Sequence, residues 1–214
     1  PKTDYCCNVY IGCTHACAYC YARFMKRFTG HANDEWGHFV DYKSNAVIIL
    51  KREIKKIEQD KWVLFGSVTD SYQPIEKNLQ LTRDCLSVMA DFDINVSILT
   101  KSSLVLRDID IFKKFIQCEI GISCGIDNSN VAKMLEPYAS PINERFDTLR
   151  KLKRNGINCY AFIGPIIPYI TDLENVFHNL SGNVDFIMAE ALNLRGVNFP
   201  LLKNYLIKLV GTEI

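Results

Sequence analysis

The chain has 214 residues, 48% of them hydrophobic, and its 25 basic and 24 acidic side chains leave a net charge of +1. That length and apolar content suffice for one buried core, so a single domain over 1–214 is expected. The balanced charge excludes the basic excess that sequence-independent duplex binding exploits, and with no long apolar run or leader pattern a cytoplasmic chain outside any membrane is expected.

Tyr5–Ile11 is rich in β-formers and stops at Gly12, which predicts the first strand. Cys6 and Cys7 would face opposite sides of it, with packing rather than ligation as their expected role, because free cysteine is usually buried. Gly12–Arg23 follows, reading Gly-Cys-Thr-His-Ala-Cys-Ala-Tyr-Cys-Tyr-Ala-Arg, and brings Cys13, Cys17 and Cys20 within eight residues. Three thiolates that close suit a 4Fe-4S cluster whose fourth iron stays open to a non-protein ligand. The nine cysteines therefore read as thiols and a cluster rather than disulfides. Two non-enzymatic alternatives stay open: a zinc site completed by His15 or the Cys6-Cys7 doublet, which lacks the usual second short pair, and an electron carrier, which lacks a fourth cysteine in register.

Residues 24–46 show no clean periodicity but carry Lys26, Arg27, His31, Asp34, Glu35, Trp36, His38, Asp41 and Lys43. A loop this long is usually functional or disordered; leaving directly from the cluster ligands, it reads as a cover over the site, or as a solvated excursion pinned by Trp36 and Phe39. Val47, Leu50, Ile54 and Ile57 then predict an amphipathic helix. Its Lys51, Arg52, Lys55 and Lys56 alternate with Glu53 and Glu58, as on a solvated face.

Trp62–Gly66 is the second predicted strand, followed by Ser67, Thr69 and Asp70, small polar residues suited to close approach of a ligand. A second helix is expected over 78–89, a strand over Ile94–Thr100 with Lys101 at its tip, and a helix over 106–115. Cys118–Ser123 is the fourth strand and Asp127 lies in a turn. The helix over 143–155 stops at Gly156. Ile157–Ile163 is the fifth strand, Thr171 and Glu174 form a capping box for the next helix, and Val184–Glu190 is the sixth strand. Asn193-Leu194-Arg195 and a helix carrying Leu202, Leu206 and Leu209 close the chain. Six β/α units fall short of the roughly 250 residues of a complete eight-fold barrel, so an α/β fold of partial (β/α)6 TIM-barrel type is expected.

The cysteine motif, with Tyr19 before its last cysteine, resembles the radical S-adenosylmethionine (SAM) superfamily. Thr69–Glu76, Leu99–Ser102, Leu106–Asp110, Leu135-Glu136-Pro137 and Pro165–Pro168 are similar to its spore photoproduct lyase-like branch. The resemblance implies that Cys13, Cys17 and Cys20 hold a 4Fe-4S cluster and that SAM binds the open iron and is cleaved to a 5′-deoxyadenosyl radical. It implies that Tyr19 and Tyr21 flank the adenosyl group, with Ser67, Thr69, Lys101 and Ser123 as further SAM contacts. Arg145 is an alternative partner for the SAM carboxylate, or a helix-surface residue. A reduced flavodoxin- or ferredoxin-type protein is the implied electron donor.

In spore photoproduct lyases a hydrogen-donating cysteine stands where this chain has Ser67, and a serine O–H does not readily give up a hydrogen atom. Cys124 is the candidate replacement, although alternation with Cys118, Ile120 and Ile122 directs it toward the helices. Within the branch, the small size, acidic cover and serine are similar to queuine lyase. The resemblance thus implies a lyase acting on a small nucleobase-like substrate, queuine, in queuosine salvage, with a DNA-lesion lyase as the alternative. A guanine-like edge presents paired N–H donors to a carboxylate; Glu190, Asp34, Glu35, Asp41 and Asp70 are the candidates, with Lys101 and Glu190 closest to the chemistry.

Overall fold

In the computed structural model, which describes residues 3–193 and 199–211, three short strands lead into a series of β/α units, eight strands and eight α-helices in all among the described residues. The strands are β1 (Tyr5–Cys7), β2 (Tyr10–Ile11), β3 (Asp41–Tyr42), β4 (Trp62–Phe65), β5 (Asn95–Thr100), β6 (Cys118–Ser123), β7 (Asn158–Ile166) and β8 (Phe186–Ala191). The helices are α1 (Ala46–Glu53), α2 (Glu76–Leu79), α3 (Leu81–Met89), α4 (Ile109–Phe112), α5 (Ser129–Leu135), α6 (Ile142–Arg154), α7 (Leu173–Leu180) and α8 (Phe199–Val210). Six strands form one parallel sheet in the order β1-β4-β5-β6-β7-β8. Each β/α unit adds its strand beside the last, which is how a partial (β/α)6 barrel is wound. No described helix is long and apolar enough to cross a membrane.

Strand alternation divides the sheet into two faces. Val63, Phe65, Val96, Ile98, Ile120, Ile122, Ala161 and Ile163 are almost fully buried in the main core with Leu86, Phe146, Leu149 and Leu152. Ser97, Glu119, Gly121, Ser123, Tyr160 and Glu190 alternate with that set and belong to the inner, barrel-side face; the stacked rings of Tyr160 and Phe186, 4.8 Å apart, cover part of it. The C-terminal strand ends on this face are where a barrel places its chemistry.

Several predicted elements break where a side chain competes with the backbone. The first strand divides after Cys7: Asn8 turns aside to donate to Ser67 Oγ at 2.9 Å, and Tyr10–Ile11 pairs with Asp41–Tyr42 in a separate antiparallel ribbon. The helix expected over 78–89 is two helices separated by left-handed Gln80, because the Glu76 carboxylate accepts the backbone N–H of Thr82 and Arg83 and so caps α3. Over 106–115 a 3₁₀ turn (Ser103–Asp108) precedes the short α4. The capping box before α7 is replaced by Asp172, which accepts from Asn175 N at 3.0 Å, while Thr171 donates to Gly125 O. Gly156, at φ +75°, terminates α6 as expected. Helix α5, capped by Asn128, follows the turn that holds Asp127, in a stretch to which the sequence pattern assigned no element. Leu194 and Arg195 lie outside the described residues.

Candidate active site

The three cysteines lie on a loop between β2 and the 3₁₀ helix Tyr21–Phe28, with Cys13 and Cys17 buried and Cys20 partly so. Two tight turns shape it, Ala16 N–H to Cys13 O and Cys20 N–H to Cys17 O, with Ala16 itself left-handed at φ +56°. The segment after β4 clamps the loop from below. Thr69 Oγ1 donates to Gly12 O at 2.6 Å, Gln73 Nε2 to the same oxygen at 3.3 Å, and Gln73 Oε1 accepts Thr14 N–H at 2.9 Å. His15, 2% exposed, places Nδ1 3.2 Å from Asp70 Oδ2. Asp70 also accepts from Thr100 Oγ1, Lys101 N–H and Tyr72 N–H. Burial pushes that carboxyl up, but His15 and these donors outweigh it and hold it well below the usual carboxylate range. Asp70 is thus engaged inside the protein and is not turned to the site mouth.

The segment 24–46 packs directly on this loop. Trp36 and Phe39 are buried against Cys13, Cys20 and Ala22, and the two segments meet at backbone distance through glycines. A Cβ on Gly37 (φ +104°) would fall 2.4 Å from Ala16 Cβ, and one on Gly12 (φ +87°) 2.6 Å from Phe39 O. The Trp36 indole N–H has no hydrogen-bond partner among the described residues, and its ring packs against Cys20. The acidic residues of this segment pair with its histidines: Asp34 and Asp41 bracket His31, at 3.1 Å for Asp41, and Glu35 stands 3.9 Å from His38. His31 also stacks on Phe39 with ring centroids 4.1 Å apart. Asp34 and Asp41 serve that local network first.

Burial pushes the three thiols up, Cys17 to about 12, so without metal they are protonated near neutral pH. Cys13 and Cys20 pack in one buried cluster with Trp36 and Phe39, and the turn from Cys20 N–H to Cys17 O keeps Cys17 on the same short loop. A bound iron supplies the charge that holds such thiols as thiolates. Among the described residues no three His, Cys, Asp or Glu side chains converge closely enough for a single ion, and His15, which a zinc site would recruit, is turned to Asp70. A cluster sets each thiolate on a different iron and needs no such convergence. The donor set therefore fits a three-cysteine cluster.

The other expected contacts surround this loop. Tyr21 donates its hydroxyl to Ser67 O, and Ser67 Oγ accepts from Asn8. Tyr19 donates to Glu136 Oε1, and Lys101 Nζ lies 5.5 Å above the Tyr19 ring and 3.9 Å from that same oxygen. Ser123 Oγ, at the strand end adjoining that of Lys101, is buried with no hydrogen-bond partner among the described residues, an orphaned group that fits a polar ligand. Glu190 is exposed at the end of β8. Arg145 is neither a surface residue nor free for a ligand: it is 1% exposed, donates to Ser140 O and Ser123 O, and pairs with Glu136 at 2.5 Å. Cys124 lies in the core with Ile122, its thiol pushed up by burial to about 12, and does not face the site. Cys7 packs against Cys85, whereas Cys6 is exposed on the inner side. The sequence reading missed Gln73, Asn8 and Glu136 as site-builders, although Gln73 and Glu136 stood in motifs it had singled out.

The sequence profile of the Radical SAM superfamily matches residues 7–178. An uncharacterized protein of Methanocaldococcus jannaschii is 41% identical over 195 residues, covering 91% of this chain and 73% of the relative. An uncharacterized protein of Mycobacterium tuberculosis is 24% identical over 91% of this chain and 58% of its own length. Among solved structures, a spore photoproduct lyase variant with bound AdoMet and dinucleoside spore photoproduct superposes with a TM-score of 0.73 at 15% identity, covering 99% of this chain and 62% of that one. The chain thus has the fold of that lyase and spans less than two thirds of its length. The profile match over most of the chain, together with a three-cysteine loop at the strand ends of a parallel β/α sheet, makes this protein a member of the radical SAM superfamily, whose enzymes use a 4Fe-4S cluster and SAM.

Proposed function

We propose that the chain is a radical SAM lyase acting on a small nucleobase-like molecule, with queuine as the specific expectation. The C–N bond between queuine's cyclopentene ring and its aminomethyl-deazaguanine part would be the one split. One observation carries the reading: by strand alternation Glu190, exposed at the end of β8, shares the inner face of the sheet with Ser123, whose buried hydroxyl has no hydrogen-bond partner among the described residues. That face would thus offer a carboxylate to accept paired N–H donors.

When bound, the cluster and SAM supply one-electron cleavage chemistry that gives a 5′-deoxyadenosyl radical. Cys13, Cys17 and Cys20 would hold the cluster, Lys101 and Ser123 the amino-acid end of SAM, and Tyr19 and Tyr21 the adenosyl end. Ser67 and Thr69 shape the end of β4, Thr69 from behind through its bond to Gly12. Glu190 would orient the base, with Glu35 on the cover as a further candidate. Trp36 and Phe39 exclude water from the cluster side. A reduced flavodoxin- or ferredoxin-type protein would deliver the electron, in a cytoplasmic setting.

A DNA-lesion lyase is the second reading, favoured by the likeness to the spore photoproduct lyase structure. Against it stands a serine at the hydrogen-donor position with Cys124 enclosed in the core. The test is anaerobic incubation of the reconstituted, reduced protein with SAM, with and without queuine. Release of 7-aminomethyl-7-deazaguanine only with queuine supports the reading; deoxyadenosine without any released base overturns the substrate.

A further inference from the structure

Beside the cluster loop lies a buried charge network that the proposed chemistry does not yet use. Glu136, 2% exposed, stands just after the last turn of α5. Its Oε1 accepts the Tyr19 hydroxyl, and its Oε2 pairs with Arg145 Nη2 at 2.5 Å, outside hydrogen-bond alignment. Arg145 is fixed in turn by two carbonyls, Ser140 O at 2.7 Å and Ser123 O at 3.1 Å. The backbone adds two ties, Ala18 N–H to Leu135 O at 2.8 Å and Ser140 N–H to Lys101 O at 3.1 Å. The carboxylate thus joins the cluster loop, the tip of β5, the end of β6 and the start of α6.

The charges do not balance within this group. Arg145 and Lys101 are two cations against one carboxylate, and Arg145 takes the close contact. Lys101 is left at 3.9 Å, its side chain 17% exposed. At the adjoining strand end, one step past the paired Thr100 and Ile122, the Ser123 hydroxyl is buried with no hydrogen-bond partner among the described residues. A loosely held ammonium next to an orphaned hydroxyl is a receptor for an anionic group with acceptor oxygens. The Ala18 N–H to Leu135 O bond and the Tyr19 hydroxyl on Glu136 tie this network to the residues that follow Cys17 in the cluster loop.

We infer that Glu136 is a positioning residue. From its ion pair with Arg145 it fixes the Tyr19 phenol and holds Lys101 poised, and the ammonium passes from Glu136 to the carboxylate when SAM binds. The inference rests on the SAM reading above. No covalent step is involved; the ammonium exchanges one carboxylate partner for another.

Glu136→Gln alone would leave Arg145 buried without a counter-charge and would destabilise the fold. The informative variant is therefore Glu136→Gln with Arg145→Met, which removes both charges. It is compared with Tyr19→Phe, which leaves the ion pair intact. Reconstituted proteins are assayed for melting temperature, SAM affinity by calorimetry, and the change SAM causes in the electron paramagnetic resonance spectrum of the reduced cluster. The expected result is a double variant that melts near the wild type, loads its cluster and binds SAM about tenfold more weakly, with the spectral change reduced. Tyr19→Phe shows a smaller loss in the same direction. If the network only supports the fold, restoring the melting temperature restores affinity, and wild-type SAM binding in both variants overturns the inference. A double variant that does not fold leaves the decision to Tyr19→Phe, where wild-type binding again overturns it. Wild-type protein that loads its cluster yet shows neither affinity nor spectral change with SAM defeats the functional reading itself, an outcome distinct from either.

Discussion

Thr69 donates its hydroxyl to the carbonyl of Gly12 at 2.6 Å, joining the end of β4 to the entrance of the cysteine loop 57 residues earlier in the chain. The bond is buried, and Gln73 Nε2 shares the acceptor at 3.3 Å. Thr69→Val keeps the shape and removes the stronger donor while Gln73 remains. The expected cost is about 1 kcal/mol, or about 2–4 °C in melting temperature for a chain of this size. Iron and sulfide per chain should fall as the loop loosens, as measured by calorimetric melting and metal analysis.

Acid stability should depend on Asp70. Its folded carboxyl is held below the ordinary value by His15, Thr100 and the Lys101 N–H despite burial. A group with a depressed folded value contributes stability above its unfolded value, about 3.9, and loses it as pH falls through the folded value. Chemical denaturation of the metal-free chain from pH 6 downward should show wild-type stability falling below about pH 4, with a flatter acid limb in Asp70→Asn. Parallel limbs would show that Asp70 is not ionised in the fold.

Removal of the metal should leave the cluster cysteines slow to react. Burial pushes Cys13, Cys17 and Cys20 up, Cys17 to about 12, and the thiolate is the reactive form. Iodoacetamide at neutral pH should label exposed Cys6 first in the metal-free chain, with Cys13 and Cys17 protected until the pH is raised or the chain is unfolded. Peptide mass mapping reads the order.

Trp36 is buried against Cys20, and its indole N–H has no hydrogen-bond partner among the described residues, which leaves it available to a cluster sulfur. Hydrogen bonds to cluster sulfurs help set the reduction potential. Such a donor favours the more negative, reduced state, so Trp36→Phe should retain the cluster and lower its potential, as read by redox titration. An unchanged potential would mean that the indole only fills space between Phe39 and Ala22.

Much of this architecture is legible from periodicity and breakers. The alternation of Cys118, Ile120 and Ile122 locates a strand and turns Cys124 into the core, and Gly156 ends a helix, because each depends only on neighbours in sequence. Long-range side-chain capture is not legible. Glu76 divides a continuous helical pattern at Gln80 by capping α3, and Asn8 diverts the first strand to reach Ser67. The same holds at the site. The cysteine spacing exposes the ligands, whereas Arg145 looks ambiguous until α5 brings Glu136 against it. Asp34 and Asp41 read as free carboxylates because their partner, His31, depends on how residues 24–46 fold back.

The central claim is that Cys13, Cys17 and Cys20 hold a cluster that cleaves SAM. It is tested most directly by incubating anaerobically reconstituted, reduced protein with SAM and measuring 5′-deoxyadenosine, beside a Cys17→Ala control. Deoxyadenosine formed by the wild type and absent from the control is the predicted result. A wild-type protein with its full complement of iron and sulfide, reduced in the presence of SAM and forming no deoxyadenosine, would contradict it.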